Sequence, residues 1–371
     1  MMWASLRIGL VGPLSPPAGG MANLTLHTKE LLEAEGAAVE LVRTNLPYRP
    51  GWIAGCKGVR ALFRLIPYAR ALVACAGRVE VLHIMANSGW SWHLYATPAI
   101  WIGRLRGVRV VVSYHGGEAE AFLERSGGLV RATLAKVDAL TVPSGYLRDV
   151  FRRFGIEAEI LPNVIDLTRF FPGPTERAAR GAAFRVLVAR HLEPVYDIPT
   201  ALRAFAALRA RVPDAELVVA GSGPLRAELE QLARDLGVGA SVCFAGQLDR
   251  DQMARAYRDT DAVLNSSSVD NAPISILEAM ASGTPVVSTR VGGVGYLVTD
   301  EVTGLLAPVG DADALAEALA RIAAERPLAT RLRANGIDAA QHYAWPHVRD
   351  VLRGVYAGTR RSSGSIVGSV R

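Results

Sequence analysis

The chain has 371 residues, half of them hydrophobic and a fifth charged, which suits two globular domains better than one compact core. Its net charge of +6 is uneven, with 21 basic and 14 acidic side chains in residues 1–180 against 20 and 21 in residues 181–371. Arg104, Arg106 and Arg109 interrupt the most hydrophobic region before it reaches the roughly 18 apolar residues of a spanning helix, so no membrane span is expected.

In chain order, LRIGLVG (6–12) is too short for a signal-peptide core and reads as a first buried strand. GPLSPPAGGM then leads into a helix from Met21 to about Glu35, and Gly19 and Gly20 would let backbone amides approach an anion there. After AAVELVRT (37–44), seven basic residues and no acid fall between Arg43 and Arg78. Lys57, Arg60 and Arg64 share one helical stripe, Leu62, Phe63, Leu65 and Ile66 lie elsewhere around the turn, and Trp52 and Tyr68 are near. That is the pattern of a surface touching anionic lipid; a solvated helix in a chain with 38 Arg and 3 Lys gives the same pattern. VEVLHIM (79–85) and VRVVVSYH (108–115) follow, placing His115 at a strand's carboxyl end beside two glycines, as a ligand contact or a structural histidine. ALTVPS (139–144) and EAEILPN (157–163) complete a first set of strands, and residues 166–183, with no sustained apolar period, read as a linker.

A second set comprises FRVLVAR (184–190), AELVVAG (215–221), VCFAG (242–246), DAVLNSS (261–267), PVVST (285–289) and GLLAP (304–308). Strands alternating with helices predict an α/β fold of parallel sheets, with ligands at the strands' carboxyl ends. Arg190 ends its strand as a fixed cation suited to phosphate oxygens. AGSGP (220–224) is either a nucleotide contact or a packing turn, and Gln247 to Asp249 is a base-contact candidate. The acids at 311–313 sit where they cap a helix, and are not taken as a metal motif. Cys56, Cys75 and Cys243 are widely spaced and form no CxxC pair, which suits free thiols in a reducing cytoplasm.

Residues 270–287, DNAPISILEAMASGTPVV, contain a short apolar helix interrupted by Glu278. At about 100° per residue, Ser275, Glu278 and Ser282 form one polar stripe and apolar side chains fill the other directions. The carboxylate therefore meets either a buried donor or a ligand, and the helix start after Pro273 offers N–H groups to an anion.

Together, GG after the first strand, PNVID before the linker, AGSGP, FAG, DNAPISILEAMASGTPVVSTRVGG and TGLLAP resemble the retaining GT-B glycosyltransferases of the glycosyl transferase group one family (family four), in its DN-x-P form. The resemblance runs over nearly the whole length. It implies two Rossmann-like domains facing a central cleft: an acceptor-side domain at 1–168, a linker at 169–183, a nucleotide-sugar domain at 184–343, a helix at 344–358 returning to the first domain, and a disordered tail at 359–371. It implies that Asp270 positions the donor sugar, that Asn271, Ala272, Pro273, Ile274 and Ser275 hold sugar and diphosphate through their amides, and that Glu278 binds the ribose. His115 would contact the donor sugar, Arg190 the diphosphate, and Gly19 and Gly20 would let the phosphates approach. The implied co-substrate is a nucleotide-diphosphate sugar, with no cofactor and no metal. No nucleic acid is implied. From the basic, aromatic stretch at 43–78, rather than from the resemblance, we expect a glycan or lipid-linked acceptor in surface polysaccharide or glycolipid synthesis, and a cytoplasmic protein placed peripherally on the inner membrane face. Two departures stand out: Asp270 replaces the usual Glu, and no Lys follows Arg190 within HLEPVYDIP. They leave open a catalytically weak homologue that binds a sugar nucleotide or an assembly partner at the membrane surface. A dinucleotide oxidoreductase is disfavoured, because no strand is followed by GxGxxG.

Overall fold

The computed structural model describes residues 3–16, 19–47, 55, 60–173 and 183–359. The twelve apolar runs all become strands, in two parallel six-stranded sheets. The first sheet contains β1 (Arg7–Gly12), β2 (Ala38–Arg43), β3 (Val81–Ala86), β4 (Arg109–Tyr114), β5 (Ala139–Val142) and β6 (Glu159–Ile160), in the order β2-β1-β3-β4-β5-β6. The second contains β7 (Arg185–Ala189), β8 (Glu216–Ala220), β9 (Val242–Gly246), β10 (Ala262–Asn265), β11 (Val286–Thr289) and β12 (Leu305–Ala307), in the order β12-β11-β10-β7-β8-β9. β3, β10 and β11 are buried along their whole length, as in a sheet covered by helices on both faces.

Each strand order reverses once. β1 lies between β2 and β3, and β7 lies between β8 and β10. Ligands of open α/β sheets bind outside the carboxyl ends of the strands that flank such a reversal. The segments after β1 and β3, and those after β7 and β10, are therefore where the topology places functional residues.

The chain passes from one compact unit to the next between Val164 and Ile165, and returns to the first at Trp345. The start of the expected linker is packed rather than free. Phe170 is buried 5.9 Å from the Tyr257 ring, Arg258 lies 4.5 Å over Phe171 and donates to the Arg169 carbonyl, and Arg333 donates to the Gly173 carbonyl at 2.7 Å. Two aromatic residues without periodicity suffice to anchor this segment to the second unit. Residues 174–182 and the tail 360–371 lie outside the described residues.

The helix Trp345–Ala357 completes the first unit's core, where Leu352, Val355 and Tyr356 pack with Trp3, Leu6 and Ile8. Tyr356 also closes a buried polar chain. Its hydroxyl is 2.7 Å from His83 Nδ1, His83 Nε2 is 2.7 Å from Ser113 Oγ, and Ser113 Oγ is 2.6 Å from Thr141 Oγ1. Burial pushes His83 down to about 3, so the ring is neutral and can both donate and accept. Tyr356→Phe leaves one imidazole nitrogen unsatisfied in the core and should cost about 1–3 kcal/mol, read from chemical denaturation of the full chain.

The basic stretch is only partly the surface expected of it. Arg43 donates to Asn45 and to the carbonyls of Leu14, Ser15 and Pro16, Arg64 donates to the Leu46 carbonyl, and Arg78 pairs with Glu40. Tyr68 is buried and donates to the Tyr95 carbonyl at 2.8 Å. Arg43, Arg64 and Tyr68 serve the fold through these contacts, whereas the Arg78 side chain stays 59% exposed in its pair. Lys57, Arg49 and Trp52 lie outside the described residues. The helix Arg60–Ala76 exposes Arg70 of the basic stretch together with the large apolar side chains Phe63, Ile66 and Val73. No helix among the described residues is long and apolar enough to cross a membrane.

Candidate active site

In the second unit the reversal between β7 and β10 brings Arg190 to Asp270. Their side chains form an ion pair and are only 12% and 11% exposed. Arg190 Nε also donates to Asn265 Oδ1 at 2.9 Å, and the guanidinium lies 5.3 Å over the Tyr196 ring. Asn265 is itself held: it donates to Ser288 Oγ at 2.9 Å and accepts from Ser267 Oγ at 2.7 Å. Removing two charges from water is costly, and these added hydrogen bonds are what make the buried pair tenable. Burial pushes the Asp270 carboxyl up from its ordinary range, against the pull of Arg190, the Asn271 amide and Ser267. The result is a cation with a fixed direction at a strand end, able to meet a polyanion.

Beside it runs the helix Ile274–Ala281, which buries Ile276, Leu277, Ala279, Met280 and Ala281. Ser275 and Glu278 stay partly exposed, while Ser282 is buried at the C-cap. No side chain caps the N-terminus. Two details change the expected amide cradle. Pro273 has no N–H to give, and the Asn271 N–H already donates to Asp270 Oδ1 at 3.0 Å. The helix start at Ile274 and Ser275 carries the electropositive end.

Glu278 has a protein partner: Tyr257 donates its hydroxyl to Oε2 at 3.0 Å. Burial pushes the carboxyl up to about 7, although Tyr257, Arg250 and Arg190 pull it down. One oxygen is thus positioned by the fold, and the group titrates near neutrality.

The other candidates of this unit divide clearly. A Cβ at Gly221 would lie 1.9 Å from the Arg190 carbonyl oxygen, and one at Gly223 would lie 2.4 Å from that of Leu192. AGSGP is therefore a packing turn that lets the β7 loop pass closely over β8. Asp249 caps the helix Arg250–Arg258 by accepting from the Gln252 amide, so it is committed to the fold, while Gln247 stays exposed within 3.3 Å of Ser222. Asp311 accepts from the Ala314 amide at 2.9 Å as a helix cap. Among the described residues no group of three or more His, Cys, Asp or Glu side chains could hold a metal. Cys75 is buried and Cys243 exposed, and both are free.

In the first unit, Gly19 precedes and Gly20 begins the helix Gly20–Ala34, and a Cβ on either would meet nothing within 4 Å. The fold does not require glycine at these positions, so a close approach from outside the chain is a better reason for them. His115 follows β4, with its amide donating to the Ala86 carbonyl at 2.9 Å and its buried Nε2 without a protein partner. Burial pushes its pKa down to about 4, so the ring is neutral at pH 7. Gly116 is a packing glycine, because a Cβ there would come within 2.5 Å of Ser88 Oγ and the Tyr114 hydroxyl.

Asn265, Ser267, Ser288, Tyr196 and Tyr257 were not singled out from the sequence. The polar run NSSS directly after an apolar strand was the signal available for the first two. Tyr196 and Tyr257 carry none, since each becomes relevant only through a partner more than five residues distant in sequence.

The Glycosyl transferases group 1 profile matches residues 176–339, and the Glycosyltransferase Family 4 profile matches residues 18–169. A GDP-mannose-dependent alpha-(1-6)-phosphatidylinositol monomannoside mannosyltransferase of Mycobacterium tuberculosis is 31% identical over 274 residues, 68% of this chain and 71% of that protein. The same-named protein of Mycolicibacterium smegmatis is 29% identical over 82% of this chain and 87% of its own. A D-inositol 3-phosphate glycosyltransferase of Saccharomonospora viridis is 35% identical over 206 residues, a match spanning about half of each chain (52% and 48%). Among solved structures, sucrose-phosphate synthase from Thermosynechococcus elongatus superposes with a TM-score of 0.77 at 23% identity, covering 95% of this chain and 98% of its own. Anabaena HepE in complex with UDP-glucose gives 0.72 at 18% identity, covering 95% and 99%. Both likenesses establish the two-sheet GT-B fold.

Proposed function

The chain belongs to the group 1 glycosyl transferases, and on that premise we propose that it moves a sugar from a nucleotide-diphosphate sugar to an acceptor hydroxyl, with retention at the anomeric carbon. The observation that carries this reading is the buried Arg190–Asp270 pair, held by Asn265 at the reversal of the second sheet and followed by the uncapped start of the helix Ile274–Ala281. In such a transfer, negative charge grows on the departing diphosphate, so catalysis rests on positive groups fixed in advance where that charge appears. Arg190 and the helix start supply them, which leaves no role for a metal or cofactor in this reading. Asp270 holds Arg190 and orients the donor sugar, Glu278 accepts from the ribose hydroxyls, and Gly19 and Gly20 give the phosphates room. Neutral His115 exchanges hydrogen bonds with a sugar hydroxyl.

The relatives' names, GDP-mannose-dependent in one case and concerned with inositol phosphate in another, support a hexosyl donor and an acceptor in glycolipid or surface polysaccharide synthesis. Exposed Phe63, Ile66 and Val73 support peripheral contact with a membrane surface, which this reading places on the cytoplasmic side of the inner membrane. A catalytically weak homologue is the second reading, favoured by one observation: no Lys occurs in HLEPVYDIP after Arg190, and the loop there is tied down instead, the Val195 carbonyl accepting from the Ser268 amide and hydroxyl. Incubation with a panel of UDP-, GDP- and ADP-sugars separates the two. Catalysed nucleotide release, with an α-configured product from an α-configured donor, supports transfer; affinity without release establishes the binder.

Glu278 links this role to pH. Its carboxyl is raised from 4.5 to about 7 in the fold, so the native state binds the proton more tightly than the unfolded chain. Its stability contribution is greatest below pH 4.5 and declines as pH rises through 7. Glu278→Gln, which keeps an acceptor for Tyr257, should therefore stabilise the protein at pH 8 by on the order of 2 kcal/mol in thermal unfolding. The same change should weaken nucleotide binding at least tenfold in calorimetry, and the wild type should lose nucleotide affinity as pH falls below 7. A variant that binds nucleotide normally would remove Glu278 from the ribose site.

A further inference from the structure

The exposed indole of Trp90 lies on the segment after β3, at the reversal of the first sheet. Trp90 is 78% exposed, although Trp is among the most buried residue types on average. Its neighbour Trp92 does the opposite: it is wholly buried against Tyr114 and Phe122 at about 6 Å, and begins a π-helical turn, Trp92–Ala96, of a kind often found at functional sites. Gly89, at φ +66, turns the chain between β3 and this anchor. The displayed ring is braced, because His93 meets it edge-on at 6.4 Å and packs in turn on Phe122 at 5.9 Å. The segment also abuts the His115 corner, where Ser88 Oγ closes on Gly116 and the His115 amide bonds the last residue of β3.

We propose that Trp90 is a stacking platform for a pyranose or cyclitol ring of the acceptor, an inference that rests on the transferase reading. The surroundings choose the ligand. Exposed Ser91 follows Trp90 directly and His93 meets its ring, while Ser88 donates to Asn87 Oδ1 on the other side, so a ring with an apolar C–H face and a rim of hydroxyls suits this indole and its polar neighbours in the chain. A lipid or protein surface would ask instead for grouped apolar side chains, and the first unit has those elsewhere, at Phe63, Ile66 and Val73.

The test labels the indole nitrogens of the full chain and identifies the Trp90 signal by its absence from the Trp90→Phe spectrum. Titration with methyl α-D-mannopyranoside, methyl α-D-glucopyranoside and myo-inositol should move that signal saturably. In Trp90→Ala, the neighbouring signals should need at least a tenfold higher concentration of the same probe, with Trp90→Phe in between. A signal that none of the three probes moves overturns the proposal, and so does one that moves only with phosphatidylglycerol vesicles, which would make Trp90 a membrane contact. Failure of nucleotide release from every donor would sink the transferase reading while leaving the ring-binding result standing, so the two failures are distinguishable.

Discussion

Arg190→Ala should lower the rate of donor turnover by about a hundredfold to a thousandfold, the usual consequence of removing one preorganised donor to developing negative charge. The loss should fall on kcat more than on the donor's KM, because the charge Arg190 meets is larger in the transition state than in the bound donor. In the resemblance this Arg is paired with a Lys about five residues on, a second cation to share the load; no Lys occurs in HLEPVYDIP after Arg190, so dependence on Arg190 should be heavier. The substitution also strands Asp270. With its partner gone, a carboxylate only 11% exposed has to take up a proton or draw in water, and about 3 kcal/mol of stability should go with it. Arg190→Lys keeps the charge but lacks the fork that reaches both Asn265 and Asp270, so it should recover part of the stability and little of the rate. Steady-state kinetics with chemical denaturation on the three proteins decide this, and an alanine variant with near-normal kcat would remove Arg190 from the reaction.

Gly221→Ala should be the most damaging small substitution in the second unit. The added methyl would sit 1.9 Å from the Arg190 carbonyl oxygen and 2.7 Å from its carbon, atoms of the backbone that cannot rotate away. Overpacking of this kind costs about 3 kcal/mol, which corresponds to a fall in Tm of roughly 6 to 12 °C for a unit of this size. Because the residue displaced is Arg190, donor turnover should fall even in the fraction that remains folded. Gly20→Ala is the informative contrast: a Cβ there meets nothing within 4 Å, so stability should hold and any loss should appear in nucleotide binding. Differential scanning calorimetry on both variants separates a packing glycine from one reserved for a ligand.

The two glycine pairs show how far the sequence could be read. Gly19-Gly20 and Gly221/Gly223 look alike on the page, each following a strand and preceding a helix. Their difference is a matter of which backbone passes overhead, and that depends on strand order. The basic stretch makes the same point. Arg43, Arg64 and Arg78 read as one positive surface because no acid lies among them, yet Glu40 and the carbonyls of Leu14, Ser15 and Pro16 come from outside the counted window, and the Leu46 carbonyl from a residue within it that a charge count passes over. A charge count along the chain records donors and misses acceptors brought by folding.

What the sequence determined by itself was the repeating architecture, since apolar runs of strand length alternating with helical patterns have few ways to bury themselves other than two parallel sheets. It also nominated Arg190, His115 and the Asp270–Glu278 block as candidates, from residue types and positions after strands that can be read locally. Tertiary structure alone decided the partners: Asn265 and Asp270 for Arg190, Tyr257 for Glu278, and Tyr356 for His83 across more than 270 positions of chain. The physical reason is that burial creates these partnerships. A polar group taken from water must find a donor or acceptor in whatever segment the sheet order lays beside it, and no local pattern announces which segment that will be.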